Sequence, residues 1–215
     1  MSAAQQPENA VKGKGRLKRE ATEAALIEAF GRVVQRSGLR TVGVNEVIKE
    51  AGIGKALLYR YFGGLPGLVR AWGESRNIWP DLSEFHALPD DPAKVDARAL
   101  LKRMVLHHAN SLREDPLRVE ILAEQFMNPS PISEALQEIR QQLGREHQQI
   151  FMDHAVIQEH SDLMRFLMGA VSFLAMRAVK SPWYMGENIG TDEGWAKLMG
   201  ELEKIVDAVV DVPPS

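Results

Sequence analysis

The chain has 215 residues, of which 45% are hydrophobic and 26% charged, and it contains no cysteine. That length suits one large domain or two small ones, with enough chain to enclose a core unaided by covalent staples. The missing cysteine excludes disulfide frameworks, Cys-ligated zinc, iron–sulfur clusters and thiol nucleophiles, and no cofactor or metal is expected. The net charge of −3 hides an asymmetry. Residues 1–76 carry 13 Lys+Arg against 7 Asp+Glu, net +6, and residues 77–215 carry 13 against 22, net −9. A basic front and an acidic remainder point to a front that meets a polyanion.

The start, MSAAQQPENAVKGKGRLKRE, has no apolar stretch of the signal-peptide kind, so a cytoplasmic protein is expected. Residues 1–18 read as a disordered basic tail ending in Lys12, Lys14, Arg16 and Lys18. Helical periodicity then begins, with Leu26, Ile27, Phe30, Val33 and Val34 at three- and four-residue spacing up to Ser37-Gly38. Short helices are predicted over 44–51 and 55–62, joined by Gly52-Ile53-Gly54, and a fourth over 65–79 before Pro80. Pro80, Pro89 and Pro92 mark 80–93 as a loop and domain boundary. Five more helices follow over about 94–113, 116–127, 131–155, 162–180 and 192–210, with Asp115-Pro116 and Thr191-Asp192-Glu193 as starts. No β-alternation is visible, so the expectation is an all-α fold of about nine helices. The most apolar run, 163–180, contains Arg165 and Arg177. Each opposes membrane insertion by about 2.5–3.5 kcal/mol, which favours a buried helix and no membrane partner.

Two helices of about two turns each, joined by a short Gly-containing turn, form a helix-turn-helix over 44–62. Projected at 100° per residue, Leu58 and Phe62 share one face of the second helix and must point inward. Ala56 and Arg60 then point outward, flanked by Lys55 and Tyr59 on one side and Leu57 and Tyr61 on the other. Lys and Arg can bond phosphate or guanine, tyrosine hydroxyls reach phosphate oxygens, and Ala permits close approach. The bland alternative makes the tyrosines boundary residues packed on the helical trio.

Residues 19–72 resemble the DNA-binding domain of TetR-type transcriptional repressors. The resemblance rests on Leu26-Ile27-Glu28-Ala29, Gly38, Val44, Val47, the run AGIGKALLYRYF over 51–62, and Leu68. It implies a helix-turn-helix domain over 19–64, a connecting helix over 65–79 and a ligand-binding and dimerisation bundle over 80–215. It also implies that helix 55–62 enters the major groove of a double-stranded operator as part of a homodimer. The DNA-binding positions so implied are Asn45, Lys55, Ala56, Leu57, Tyr59, Arg60 and Tyr61. Gly43, Gly54 and Leu65 depart from the family pattern, where hydroxyl or basic side chains are usual. The basic segment 12–19 compensates if it reaches phosphates or the minor groove.

In the acidic part, 192–210 carries a broad apolar stripe that includes Trp195, Leu198, Leu202, Ile205 and Val209. These residues, with Phe173, are either core of a monomeric bundle or one half of an isologous four-helix interface, which the family favours. The family further implies a small apolar or amphipathic inducer. Met104, His107, Phe126, Met127, Phe151, Phe166, Phe173 and Arg177 are the candidate lining, against the plain reading that Met and Phe at helical spacing are core. His147 and His154 share a helix face, but no HExxH pattern appears.

The composite expectation is a ligand-responsive, sequence-specific DNA-binding regulator, with repression as what the family resemblance implies. A helical architectural or adaptor protein with no small ligand is the alternative, and a filled bundle would favour it. A helical enzyme would need a nucleophile–base pair, paired carboxylates or a phosphate loop, and none is legible.

Overall fold

In the computed structural model the described residues are 6–76, 78, 85, 88–89, 91, 94–128, 130–152 and 155–210, with side chains of 6–14, 143–144 and 146–152 left aside. Among them are ten helices: α1 (Gln6–Ser37), α2 (Val44–Ala51), α3 (Lys55–Phe62), α4 (Leu65–Ser75), α5 (Ala97–Glu114), α6 (Pro116–Met127), α7 (Pro131–Met152), α8 (Ala155–Glu159), α9 (Ser161–Lys180) and α10 (Asp192–Val209). The all-α expectation holds. The chain divides into two compact units. One is Met1–Arg76 with Pro129–Ile139, and the other is Asn77–Asn128 with Arg140–Ser215.

Two boundaries differ from the sequence reading. The helix begins at Gln6, so α1 runs through the basic segment read as a disordered tail. Ion pairs from Arg16 to Glu20 and from Arg19 to Glu23, each one turn apart, support helical backbone there. α4 stops at Ser75 instead of 79. The loop expected over 80–93 falls mostly outside the described residues. The sequence also missed a β-hairpin, β1 (Trp183–Tyr184) with β2 (Glu187–Asn188), in the register Trp183↔Asn188. Its turn uses positive φ at Met185 (49°) and Gly186 (90°), as a two-residue hairpin of the primed type requires.

The first unit closes around Leu26, Phe30, Val33, Val47, Leu58, Leu68 and Trp72, all buried. Phe30 meets Trp72 edge-on with ring centroids 4.9 Å apart. A charged clamp joins α1 to α2. Arg32 Nε donates to Glu50 Oε1 at 2.8 Å, and Arg36 Nη1 donates to Glu50 Oε2 at 2.9 Å. The Arg32 bond first, then that of Arg36, holds the Glu50 carboxyl below its ordinary range. A depressed carboxylate stabilises above its unfolded-state pKa, and that help fades as pH falls through the lowered value. Within the same unit, Arg70 Nε of α4 donates to Glu138 Oε2 of α7 at 2.7 Å.

The second unit has its own core, drawn from α5, α6, α8, α9 and α10, with Leu101, Val105, Ala109, Val171, Trp195 and Val206 buried in it. Asp96 caps α5 by accepting from Ala99 N–H, and Thr191 caps α10 by accepting from Gly194 N–H.

The turn from α3 to α4 depends on absent side chains. Gly63 closes α3 at φ 71° with its N–H on Tyr59 O at 2.8 Å. A Cβ on Gly67 would lie 1.9 Å from Phe62 O, so the first turn of α4 packs on the last carbonyls of α3 only because residue 67 is Gly. Gly67→Ala is therefore expected to destabilise the first unit by about 2 kcal/mol or more, through backbone displacement. Urea denaturation followed by circular dichroism measures this; an unchanged midpoint would contradict the close approach.

Candidate DNA-binding face and ligand cavity

The helix-turn-helix is built by backbone caps. α2 ends at Gly52, φ 65°, whose N–H bonds Ile48 O. Ile53 N–H also reaches Ile48 O, at 3.2 Å. α3 starts at Gly54 in extended conformation, with no side-chain cap. Leu58 is wholly buried and fixes which face of α3 looks inward. The outward set matches the projection: Lys55, Ala56, Tyr59 and Arg60 are exposed, Leu57 and Tyr61 are half-buried, and Asn45 is exposed on α2.

The two tyrosines lie beneath cations. Lys55 Nζ sits 5.7 Å from the Tyr59 ring centroid, and the Arg19 guanidinium sits 5.2 Å from that of Tyr61. Arg19 was read only as part of a basic arm. Stacked on Tyr61, it adds a cation from α1 to the edge of the α3 face. The exposed surface is thus cationic and hydroxylic, with the small Ala56 among the charges, which suits approach to phosphates and base edges.

One contact was not read from the sequence. Glu46 Oε2 lies 2.7 Å from the position a Cβ on Gly43 would take. The carboxylate of the third residue of α2 folds back over the N-cap, where the helix dipole favours an anion. Gly43 supplies no hydroxyl cap of its own, so Glu46 is the side chain nearest that helix start. The arrangement puts a negative charge at a helix start that would otherwise attract a phosphate.

The second unit contains a cavity of about 850 Å³. Met104, His107, Phe126, Met127 and Phe173 of the expected set line it, joined by Phe85, Met168 and Met176. His107, His108, Arg140 and Ser172 supply its polar groups. Exposed Phe126 and Met127 place α6 at its rim. Ser172 O–H donates to Met168 O at 2.8 Å, and Ser172 Oγ lies 3.0 Å from His108 Nε2. With its proton committed to Met168, the serine oxygen accepts, so the neutral His108 ring carries its proton on Nε2. Burial first, then the charge of Arg140 and then that of His107, pushes His108 down to about 4. It is neutral at physiological pH.

Two expected lining residues are elsewhere. Phe166 is 70% exposed on α9 and outside the cavity. Arg177 serves the hairpin: Nη2 donates to Trp183 O at 3.1 Å, and its guanidinium lies 5.5 Å from the Tyr184 ring centroid. The side chains of Phe151 and His147, and all of His154, lie outside the described residues.

The expected dimer set divides as well. Trp195 and Leu202 are only 5% and 6% exposed and belong to the second unit's own core, because the inward part of the α10 stripe packs on α5. Leu198 packs partly against that core. Ile205 and Val209 on α10, and Phe173 on α9, remain exposed.

A buried helix-turn-helix scaffold with an exposed cationic second helix defines a DNA-binding protein of the helix-turn-helix class. Residues 26–71 match the family described as bacterial regulatory proteins, tetR family. No curated protein matches the chain as a relative. Among solved structures, a Clostridium perfringens protein named as a regulator of fatty acid metabolism superposes with TM-score 0.50 at 15% identity, covering 88% of this chain and 100% of its own. A linker-substituted mutant of HlyIIR superposes with TM-score 0.49 at 14% identity, covering 92% of this chain and 99% of its own. At 15% identity the likeness to the Clostridium perfringens protein concerns the fold alone. Residues 26–71 are thus a tetR-type helix-turn-helix domain, which supports a DNA-binding transcriptional regulator.

Charge on the reading face yields opposite expectations at two positions. Lys55→Ala is expected to weaken binding by about 1 kcal/mol across sequences and to reduce its salt dependence. Glu46→Gln is expected to strengthen binding several-fold, on the order of one removed repulsion. Fluorescence anisotropy on one duplex at several salt concentrations measures both; a weaker Glu46→Gln complex would show that the carboxylate helps to dock the helix.

Proposed function

We propose that this regulator binds an inverted-repeat operator as a homodimer and is released when a small apolar or amphipathic molecule occupies the second unit. The observation that carries the proposal is the cavity of about 850 Å³ in the unit that does not bear the helix-turn-helix. That volume matches small-molecule sites, which are mostly apolar with a few oriented polar groups. A purely architectural protein has no use for it. Repression is the family-level sense of regulation, and the cytoplasm is the expected compartment for a protein acting on DNA.

The dimer reading rests on DNA geometry and on exposed apolar side chains. One short motif reads one half-site, whereas a two-fold dimer reads two about 34–36 Å apart, or a multiple of that spacing. Ile205 and Val209 are one turn apart on α10 and exposed, as is Phe173 on α9, and these are the candidates to meet a second copy. Release follows as a population shift. The ligand must bind the form that does not hold DNA better than the form that does. A coupling of about 1–3 kcal/mol is ordinary for such linkage.

Selection of bound duplexes from a random pool by the full chain, near physiological salt, tests this directly. An enriched inverted repeat is expected, and Val209→Asp is expected to lower both the dimer fraction in light scattering and the affinity for that repeat. Generic, salt-sensitive binding with no enriched site would instead favour an architectural role.

A further inference from the structure

Resting on the DNA-binding reading of α3, but not on operator symmetry or ligand release, we propose that the N-terminal stretch of α1 is a second, helical DNA-contacting element, in which Arg16 and Arg19 bond backbone phosphates beside the half-site that α3 reads. α1 is continuous from Gln6 to Ser37. An extended basic arm can thread the minor groove, but a helix cannot. With its side chains a helix is about 10–12 Å across, and the minor groove of B-DNA is about 6 Å wide. The major groove, wide enough for a helix, is taken by α3. That leaves the phosphate backbone to α1. At about 100° per residue, Arg16 and Arg19 lie about 60° apart on one face of α1. Both are exposed, with 76% and 59% of the side chain accessible. The Arg19 guanidinium, 5.2 Å from the Tyr61 ring centroid, ties that face to the edge of α3. Arg16, nearly one turn closer to the N-terminus, continues the cationic surface past the motif. Stacking occupies the flat side of a guanidinium and leaves its edge donors for oxygen. Each arginine also pairs with an acid one turn on, Arg16 Nε 3.5 Å from Glu20 Oε1 and Arg19 Nε 2.7 Å from Glu23 Oε1. Solvated pairs of this kind contribute little, and each uses one of a guanidinium's five donors, so ion pairing along the helix does not exhaust either side chain. Phosphate contacts carry no base information, and their effect falls on affinity and salt dependence for any sequence.

Fluorescence anisotropy of the full chain on labelled duplexes of about 30 base pairs and arbitrary sequence, over a series of salt concentrations, tests this. Arg16→Ala and Arg19→Ala are each expected to weaken binding several-fold near physiological salt. Each is also expected to flatten the plot of log affinity against log salt by about 0.9 per chain bound. Arg16→Lys is expected to keep the slope. Lys18→Ala removes the same charge about 130° from the middle of the arginine face, and is expected to change the slope by less than about half as much. Gly15→Ala favours helix and adds a Cβ that meets nothing within 4 Å, so it is expected to hold or tighten binding. Unaltered slopes in both arginine variants, an equal loss in Lys18→Ala, or weaker binding by Gly15→Ala would overturn the proposal. So would a loss confined to A·T-rich duplexes, the mark of an arm in the minor groove. Lys55→Ala keeps the two readings apart. If it flattens the slope while the arginine variants do not, α3 meets DNA and α1 does not. If the arginine variants flatten it while Lys55→Ala does not, the docking of α3 fails and the phosphate contacts of α1 stand.

Discussion

An eight-residue helix has almost no stability of its own in water, because nucleation costs more than two turns return. α3 is such a helix, and every statement about its DNA-facing side depends on its being held in one rotation. Leu58 does that. Wholly buried, it contributes roughly the 2–5 kcal/mol that a core leucine loses on truncation to alanine. Once Leu58 is inside, Ala56 and Arg60 have nowhere to be but outside. The glycines at both ends of α3 permit the short connections, and Gly67 lets α4 come within contact of the last carbonyls. The Arg32–Glu50–Arg36 clamp holds α2 on α1, so the two helices of the motif share one rigid base.

The two units use electrostatics in opposite ways. On α3 the cations are solvated and stacked on aromatic faces, where each is worth little alone but together they attract a polyanion at long range. In the cavity lining burial dominates instead, drawing the Arg140 guanidinium below its ordinary range and keeping His108 neutral. Glu46 belongs to the first regime. It stabilises the start of α2 and also opposes an approaching phosphate, a compromise between helix capping and DNA affinity.

The face of α3 was legible because an eight-residue helix with two inward positions leaves the others no freedom. The stripe of α10 was less so. It is wide enough to serve both an internal core and an exposed edge, and periodicity cannot tell Trp195, which turns inward, from Val209, which does not. Five of the expected cavity residues, Met104, His107, Phe126, Met127 and Phe173, line it, since side chains on several helices converge on one apolar space. Arg140 went unread because it sits in a polar helix among other charges, where nothing in the sequence marks one arginine as inward. The hairpin escaped because two-residue strands have no alternation to detect, and Gly186 alone marks its turn. The Glu46 contact had a visible signal, an acid three residues after a helix start, obscured by the glycine in place of a hydroxyl cap.

Four of the chain's nine methionines, Met104, Met127, Met168 and Met176, line the cavity. Thioether side chains are unbranched and reshape with little strain, whereas the His108–Ser172–Met168 chain of hydrogen bonds is fixed in direction. One wall therefore yields and the other does not. Those same four methyl groups are also sparse, mobile nuclei on which magnetic resonance can watch the cavity fill.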